Sequence, residues 1–460
     1  MAPRPNRGRT AAAAGIAALA VTLTACSGAG GAGGGGGGDA EGSGDAINVL
    51  MVGNPQMEDI QKLTADSFTA DTGIDVNFTI LPENELRDRV TQDVATQGGQ
   101  YDVVTIGAYE APIWAENGWL KELGEAAKAN EEFDYDDLLE PMVTSLSGQD
   151  GGLYAMPFYG ESSFLMYRKD VFAELGLEMP ERPTWQQVAE FAAAVTEAKP
   201  DMAGICLRGL PGWGELFAPL TTVVNTFGGT WFTEDWEPQV NSPEFTAATQ
   251  FYVDLVREHG QPGAAQSGFT ECLNTVSQGK AAMWYDATSA AGSLEDPEVS
   301  GVAGQMGYVH APVEKTEASG WLWAWAWAIP ETTQKEDAAQ QFVQWASSKE
   351  YEELVGTELG WARVPAGKRA STYEVPEYAE AAAAFGDITL QAIQEADPTD
   401  PGVQPRPTVG VQFVTIPEFA DLGTKVSQEV SAAIAGQGTV EEALANGQKL
   451  AEDVAANYRK

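Results

Sequence analysis

The stretch INVLMVGNPQMEDIQKLTADSFTADTGIDVNFTILPENELRDRVTQDVATQGGQYDVVTI, residues 47–106, decides the fold. Ile47–Val52 is an unbroken apolar, β-rich run, as in a buried strand. Between Met57 and Thr72, Ile60, Leu63 and Phe68 fall on one helical side. Val76, Phe78 and Ile80 alternate and spell a second strand. Leu86, Val90 and Val94 stand four apart in a helix that Gly98-Gly99 ends. Asp102–Ile106 is a third strand. Strand, helix, strand, helix, strand implies a largely parallel sheet with helices on both faces. The expected fold class is α/β.

Upstream, Met1–Thr10 carries Arg4, Arg7 and Arg9 and no acid. Ala11–Leu23 is apolar but too short for a bilayer span, which needs roughly 20 residues. A basic start, a short apolar core and a small-residue end make a secretory signal. The end, Leu23-Thr24-Ala25-Cys26, resembles the bacterial lipobox, in which the chain is cut before the cysteine and the thiol is acylated. An acyl chain holds to a bilayer because each buried methylene contributes about 0.8 kcal/mol. The alternative is an ordinary signal with a chance cysteine. Ser27–Gly44 consists of Gly, Ala, Ser and acids, the composition of a flexible tether. It lacks the Gly-Lys-Ser/Thr ending of a phosphate loop. Residues 1–25 are thus expected as signal peptide and 26–46 as acylated Cys26 plus tether.

Downstream, the chain is long enough for two lobes. Thr184 with Gln187 and Thr439 with Glu442 read as capping boxes, and Ser242-Pro243 reads as a helix start. Asp337–Ser348 is another helix, with Phe342 and Trp345 inward. No internal repeat and no second tether-like linker appear. The formal net charge is −41, and loss of the three signal arginines takes it to −44. A surface this acidic repels nucleic acid and anionic lipid, and it argues against anionic ligands drawn into a basic cleft. It fits a salty habitat. Besides Cys26 there are only Cys206 and Cys272. Outside the membrane they have the chemistry for a disulfide, but separation in sequence does not place them within bonding distance. Two buried thiols are the simpler reading, and a disulfide between them stays open.

His259 and His310 lie in no metal-ligand spacing, and no CxxC pair occurs, so no metal is expected. No GxSxG elbow and no GxGxxG turn after a strand occur, and no cofactor is expected. A glycosidase needs only two carboxylates, which leaves that chemistry open. Thirteen Trp stand out. Sugars and polyols present C–H faces to aromatic rings and vicinal hydroxyl pairs to carboxylate, guanidinium and amide groups. Such residues recur after strand-like runs: Tyr109-Glu110, Tyr159-Gly160-Glu161, Arg208 with Trp213, Trp284-Tyr285-Asp286, and Trp361 with Arg363. Singly, each reads more simply as a solvated loop or a core Trp; five together point to a ligand cleft. Trp321–Ala328, WLWAWAWA, puts four Trp on one strand face about 6.6 Å apart. Part of that face is expected to line a sugar-sized cleft, and a wholly buried core strand is the simpler alternative.

Long stretches carry a family resemblance: VATQGGQYDVVTIGAYEAPIWAENGWL, LYAMPFYGESSFLMYRKDVF, GICLRGLPGWGE, VNTFGGTWF, AAMWYDATSAAG, WLWAWAWAIP, LGWARVPAG and IPEFADLGTKV. They resemble the extracellular solute-binding proteins of ABC importers, carbohydrate class, and within it the sorbitol/mannitol-binding branch. The resemblance implies a two-lobed type II periplasmic-binding-protein-like fold, mostly parallel sheets flanked by helices, with several hinge crossings. It puts the crossings near Tyr159–Ser162, within the Trp run and around Pro401–Pro407. The lobes are then 47–160 with 326–405, and 161–325 with 406–460. Implied ligand contacts are Asn54, Glu110, Glu161, Arg208, Trp213, Asp286, Trp323, Trp325 and Arg363. Glu161, Arg208 and Asp286 would take hydroxyl pairs, and Trp213, Trp323 and Trp325 would stack. The implied partners are a small carbohydrate or polyol and the transmembrane subunits of an ABC permease. Nucleic acid is not a partner, and the membrane is met only through the lipid. A non-enzymatic monomer on the outer face of the cell membrane follows. The glycine tether and the acidity depart from the branch and suit a bacterium with a single membrane. Competing readings are a mono- or oligosaccharide ligand, a lipid-anchored glycosidase, and a structural or adhesive surface protein.

Overall fold

The computed structural model describes residues 46–459. The signal, Cys26 and the Ser27–Gly44 tether lie outside the described residues. Strand β1 (Ile47–Val52) pairs in parallel with β2 (Val76–Leu81) and β3 (Val103–Gly107). The helix from Pro55 starts on Asn54 in extended conformation, with Pro55 at its first position, where the missing N–H costs nothing. It runs through a π-helical turn at Ala65–Thr69 and ends on Gly73 at φ 74°. Helix Glu83–Ala95 then leads into β3.

Strands β4 (Met156–Glu161), β5 (Ser163–Arg168), β6 (Met283–Ala287), β7 (Met306–His310) and β8 (Trp323–Ala328) complete two sheets. One has the order β2-β1-β3-β8-β4, the other β6-β5-β7. In the larger sheet β8 runs against β3 and β4; the smaller sheet is antiparallel throughout. All six residues of β8 are buried because the strand sits inside the sheet, with neighbours on both edges. Its alternation of Trp and Ala packs bulk on one face and close backbone approach on the other. Only Ser162 separates β4 of the larger sheet from β5 of the smaller. The chain returns to the larger sheet within residues 311–322, since Trp323–Trp325 already pair with Glu161 and Tyr159.

Both capping boxes form, at Thr184/Gln187 and Thr439/Glu442. The helices Phe419–Ile434 and Val440–Ala455 pack on each other and on Pro243–His259. Cys206 and Cys272 are joined as a disulfide with Cα atoms 5.7 Å apart, the alternative to the simpler reading of two buried thiols. The reason is tertiary: Cys206 bridges in parallel to Trp284 of β6, and the Phe269–Ser277 helix carries Cys272 against the same strand.

Candidate functional site

A cavity lies where the ends of the two sheets meet. From the larger sheet come Asn54 after β1, Glu83 and Arg87 on the helix after β2, Glu161 closing β4, and Trp323 and Trp325 of β8. From the other side come Arg208, Trp213, Phe269 and Ser289, with Trp321 and Gln412 from the connecting segments. About 30 Å³ is free between these walls, far short of the roughly 300–1,000 Å³ of small-molecule sites, so a ligand enters only when the walls part.

Contacts between the two sides flank the cavity. Arg363 donates to Asp59 (2.9 and 2.6 Å) and to Asp296 (2.9 Å). Gln56 Nε2 donates to the Ser289 carbonyl (3.2 Å) and Asn84 Nδ2 to the Pro211 carbonyl (2.9 Å). Tyr109 Oη donates to the Ile416 carbonyl (2.9 Å) and accepts from Ala420 N (3.1 Å). Arg363 thus ties the two sides together away from the cavity wall.

Two guanidiniums dominate the wall. Arg208 Nε and Nη2 donate to Asp286 Oδ2 (2.8 Å) and Oδ1 (2.5 Å); Nη1 donates to the Gly214 carbonyl (3.1 Å) and Glu215 (3.3 Å). One Nη2 hydrogen remains for the cavity. Asp286 is fully buried behind Arg208 and also accepts from Trp284 Nε1 at 3.0 Å. It orients the arginine and does not reach the wall. Arg87 Nε and Nη2 donate to Glu83 Oε1 (3.0 and 2.9 Å), and Nη1 pairs with Glu110. Glu110 also accepts from Gly107 N (3.0 Å), so it too stands behind an arginine. Of the nine residues expected as contacts, Asn54, Glu161, Arg208, Trp213, Trp323 and Trp325 line the cavity; Glu110, Asp286 and Arg363 do not.

Burial pushes the Glu161 carboxyl up to about 8, against the pull of Ser289 and Arg208. At neutral pH it is largely protonated and both donates and accepts, as a vicinal hydroxyl pair requires. Ser289 Oγ meets it at 2.5 Å. Glu215 is likewise pushed up to about 8 by burial and the nearby Glu83, which leaves Asp286 as the charge partner of Arg208. Burial pulls the Arg87 and Arg208 guanidiniums down, but Glu110 and Glu83, and Asp286, outweigh it and hold both above the ordinary value. The Gln412 amide donates to the Leu322 carbonyl (3.1 Å), while its buried Oε1 has no partner among the described residues. Asn54 Nδ2 donates to Tyr159 Oη (2.9 Å). Sequence reasoning missed Glu83, Arg87, Phe269, Ser289, Trp321 and Gln412. The Glu83–Arg87 pair, four apart on a helix that follows a strand, was the one readable signal.

A wider groove, about 710 Å³ where the cavity has 30 Å³, lies beyond Arg87 and Trp213 against Trp114 and Trp119. It shares Arg87 and Trp213 with the cavity but not Glu161, Arg208 or Trp325. Among the described residues no group of three His, Cys, Asp or Glu is arranged to hold a metal ion, and no helix is long and apolar enough to cross a membrane.

Comparison with known proteins agrees with the fold. Residues 54–353 match the bacterial extracellular solute-binding protein family. A mannitol-binding protein of Pseudomonas aeruginosa is 43% identical over 406 residues, covering 88% of this chain and 92% of that protein. The crystal structure of an ABC transporter solute-binding protein from Agrobacterium vitis S4 with bound D-mannitol superposes with a TM-score of 0.87 at 48% identity, covering 90% of this chain and 99% of that one. Maltose-bound T. maritima MalE3 shares the fold alone, at a TM-score of 0.76 and 21% identity over 89% of this chain and 99% of that one. The architecture is that of a type II binding protein, and the chain belongs to the family of bacterial extracellular solute-binding proteins.

Proposed function

We propose that this protein captures an open-chain polyol of hexitol size outside the cell and delivers it to the permease of an ABC importer. The observation that carries the reading is the cavity at the junction of the sheets, where the buried Arg208, the partly buried Arg87, a neutral carboxyl at Glu161, amides and indoles converge. Guanidinium and carboxyl groups match vicinal hydroxyls in fixed geometry. The mannitol-binding relative and the mannitol-bound neighbour support the choice of a hexitol over other sugars. Two lobes would close on the solute, one built on the larger sheet and one on the smaller with the C-terminal helices. Ligand favours the closed state because its hydroxyls meet both walls only there. In this reading the protein acts as a monomer, performs no chemistry on its ligand, and is held to the membrane by a lipid on Cys26 through the Ser27–Gly44 tether. Titrating the mature protein with mannitol, sorbitol, arabitol, glucose and maltose, followed by Trp fluorescence, tests it. A saturable response to hexitols with the sugars recovered intact is expected. Hydrolysed maltose would establish a glycosidase instead.

A further inference from the structure

Three indoles of the cavity are already engaged, and this governs what the cavity selects. The Arg87 guanidinium carbon lies 4.2 Å from the Trp213 ring centre, 5.1 Å from Trp323 and 4.9 Å from Trp325. Its nitrogens are fixed by Glu83 and Glu110, so the group is held in that cage from its far side. Around Trp213, Tyr109, Phe413 and Phe419 pack with ring centres 4.6, 6.2 and 6.2 Å away. Trp323 lies against Gly107, where a Cβ would collide with its ring.

A pyranose binds an indole by laying its flat C–H face on the ring, which demands an unoccupied ring face. An open-chain polyol offers only a narrow, flexible C–H edge in place of that broad flat face, and it binds chiefly through a row of hydroxyls on N–H, carboxyl and amide edges. A cation already seated on the indoles removes the first mode and leaves the second. We infer that Arg87 is a specificity-determining residue, filling the cage of Trp213, Trp323 and Trp325 so that open-chain polyols are accepted and ring sugars rejected. The inference rests on the polyol reading above and adds the residue that enforces it. Glu110, which is off the wall, is a positioning residue that acts through Arg87.

The test is calorimetric titration of D-mannitol and of methyl β-D-glucopyranoside, whose ring cannot open, into wild type, Arg87→Ala, Arg87→Lys and Glu110→Gln. Wild type should prefer mannitol by about 100-fold or more, and Arg87→Ala should lower that ratio about tenfold by weakening mannitol and admitting the glucoside. Arg87→Lys keeps the charge without the plane and should lower the ratio in the same direction. Glu110→Gln should do so less. These two variants carry the test if Arg87→Ala, which leaves two buried carboxylates unpaired, does not fold. A merely structural role would weaken both ligands in proportion. An unchanged ratio in the variants, or a wild type that binds the glucoside as tightly as mannitol, overturns the inference while mannitol binding stands. A wild type that binds no mannitol overturns both.

Discussion

Asp286 gives the sharpest prediction, because its position argues for a role different from direct contact. It is fully buried and holds Arg208 by two hydrogen bonds of 2.8 and 2.5 Å. Replacing it with Leu strands a buried guanidinium, a loss of about 3–5 kcal/mol for a broken buried pair. Glu215, at 3.3 Å, recovers only part of that. At about 2–4 °C per kcal/mol for a unit of 150–250 residues, the melting temperature should fall by roughly 6–20 °C. Mannitol affinity should drop about 100-fold, since Arg208 then loses its aim and with it a charged hydrogen bond worth about 1.5–3 kcal/mol. The decisive comparison is the cycle with Arg208→Met. Removing both charges should restore much of the stability lost by either single change, because the pair is then replaced by apolar groups. It should not restore binding. Thermal melts and calorimetric titrations of the four proteins read both quantities. Additive losses of stability, or an Asp286→Leu protein that binds as wild type does, would refute the reasoning.

Reducing Cys206–Cys272, which spans 66 residues, should cost about 4 kcal/mol by loop entropy, read as a lower melting temperature in dithiothreitol. It should also weaken mannitol binding, because Arg208 lies two residues beyond Cys206. Glu161 and Glu215 sit near 8 in the fold against 4.5 for an ordinary glutamate. The folded state therefore keeps protons that the unfolded state releases, and stability should fall as pH rises from about 4.5 to about 8. Melts at pH 6.5 and 8.5 of wild type and Glu161→Gln check the sign; the variant should lose part of the slope. Gln412→Leu removes both an acceptor with no other partner and the amide that donates to the Leu322 carbonyl, so it should weaken mannitol about tenfold and also lower the melting temperature by a few degrees, as titration and melts will read.

Local signals carried far in this sequence. The apolar run of β1, the alternation of β2, the strand signal of β3 and the Thr184 and Thr439 caps are fixed by neighbours a few residues away, and they formed as read. Glu161, Arg208 and Trp213 were legible for a related reason: strand ends in α/β folds converge, so polar and aromatic residues there share a space. What sequence did not reveal is depth. Asp286 and Glu110 carry the same signature as Glu161, yet an arginine stands between each and the cavity. Arg363 had the right chemistry but answers to Asp59 and Asp296, hundreds and dozens of positions away. Gln412 left no trace, since only the docking of a loop without regular structure brings it to Leu322. The disulfide was hidden likewise, its partners joined through β6 and not through sequence spacing.

The central claim is that one polyol is captured whole in the cavity at the junction of the sheets. Calorimetric titration of D-mannitol into the mature protein at two temperatures, with the ligand recovered and analysed afterwards, tests it most directly. One site per chain, a negative heat-capacity change as the walls close over the solute, and mannitol recovered unaltered are expected. Absence of saturable heat with mannitol, or chemical change of the recovered ligand, would contradict it.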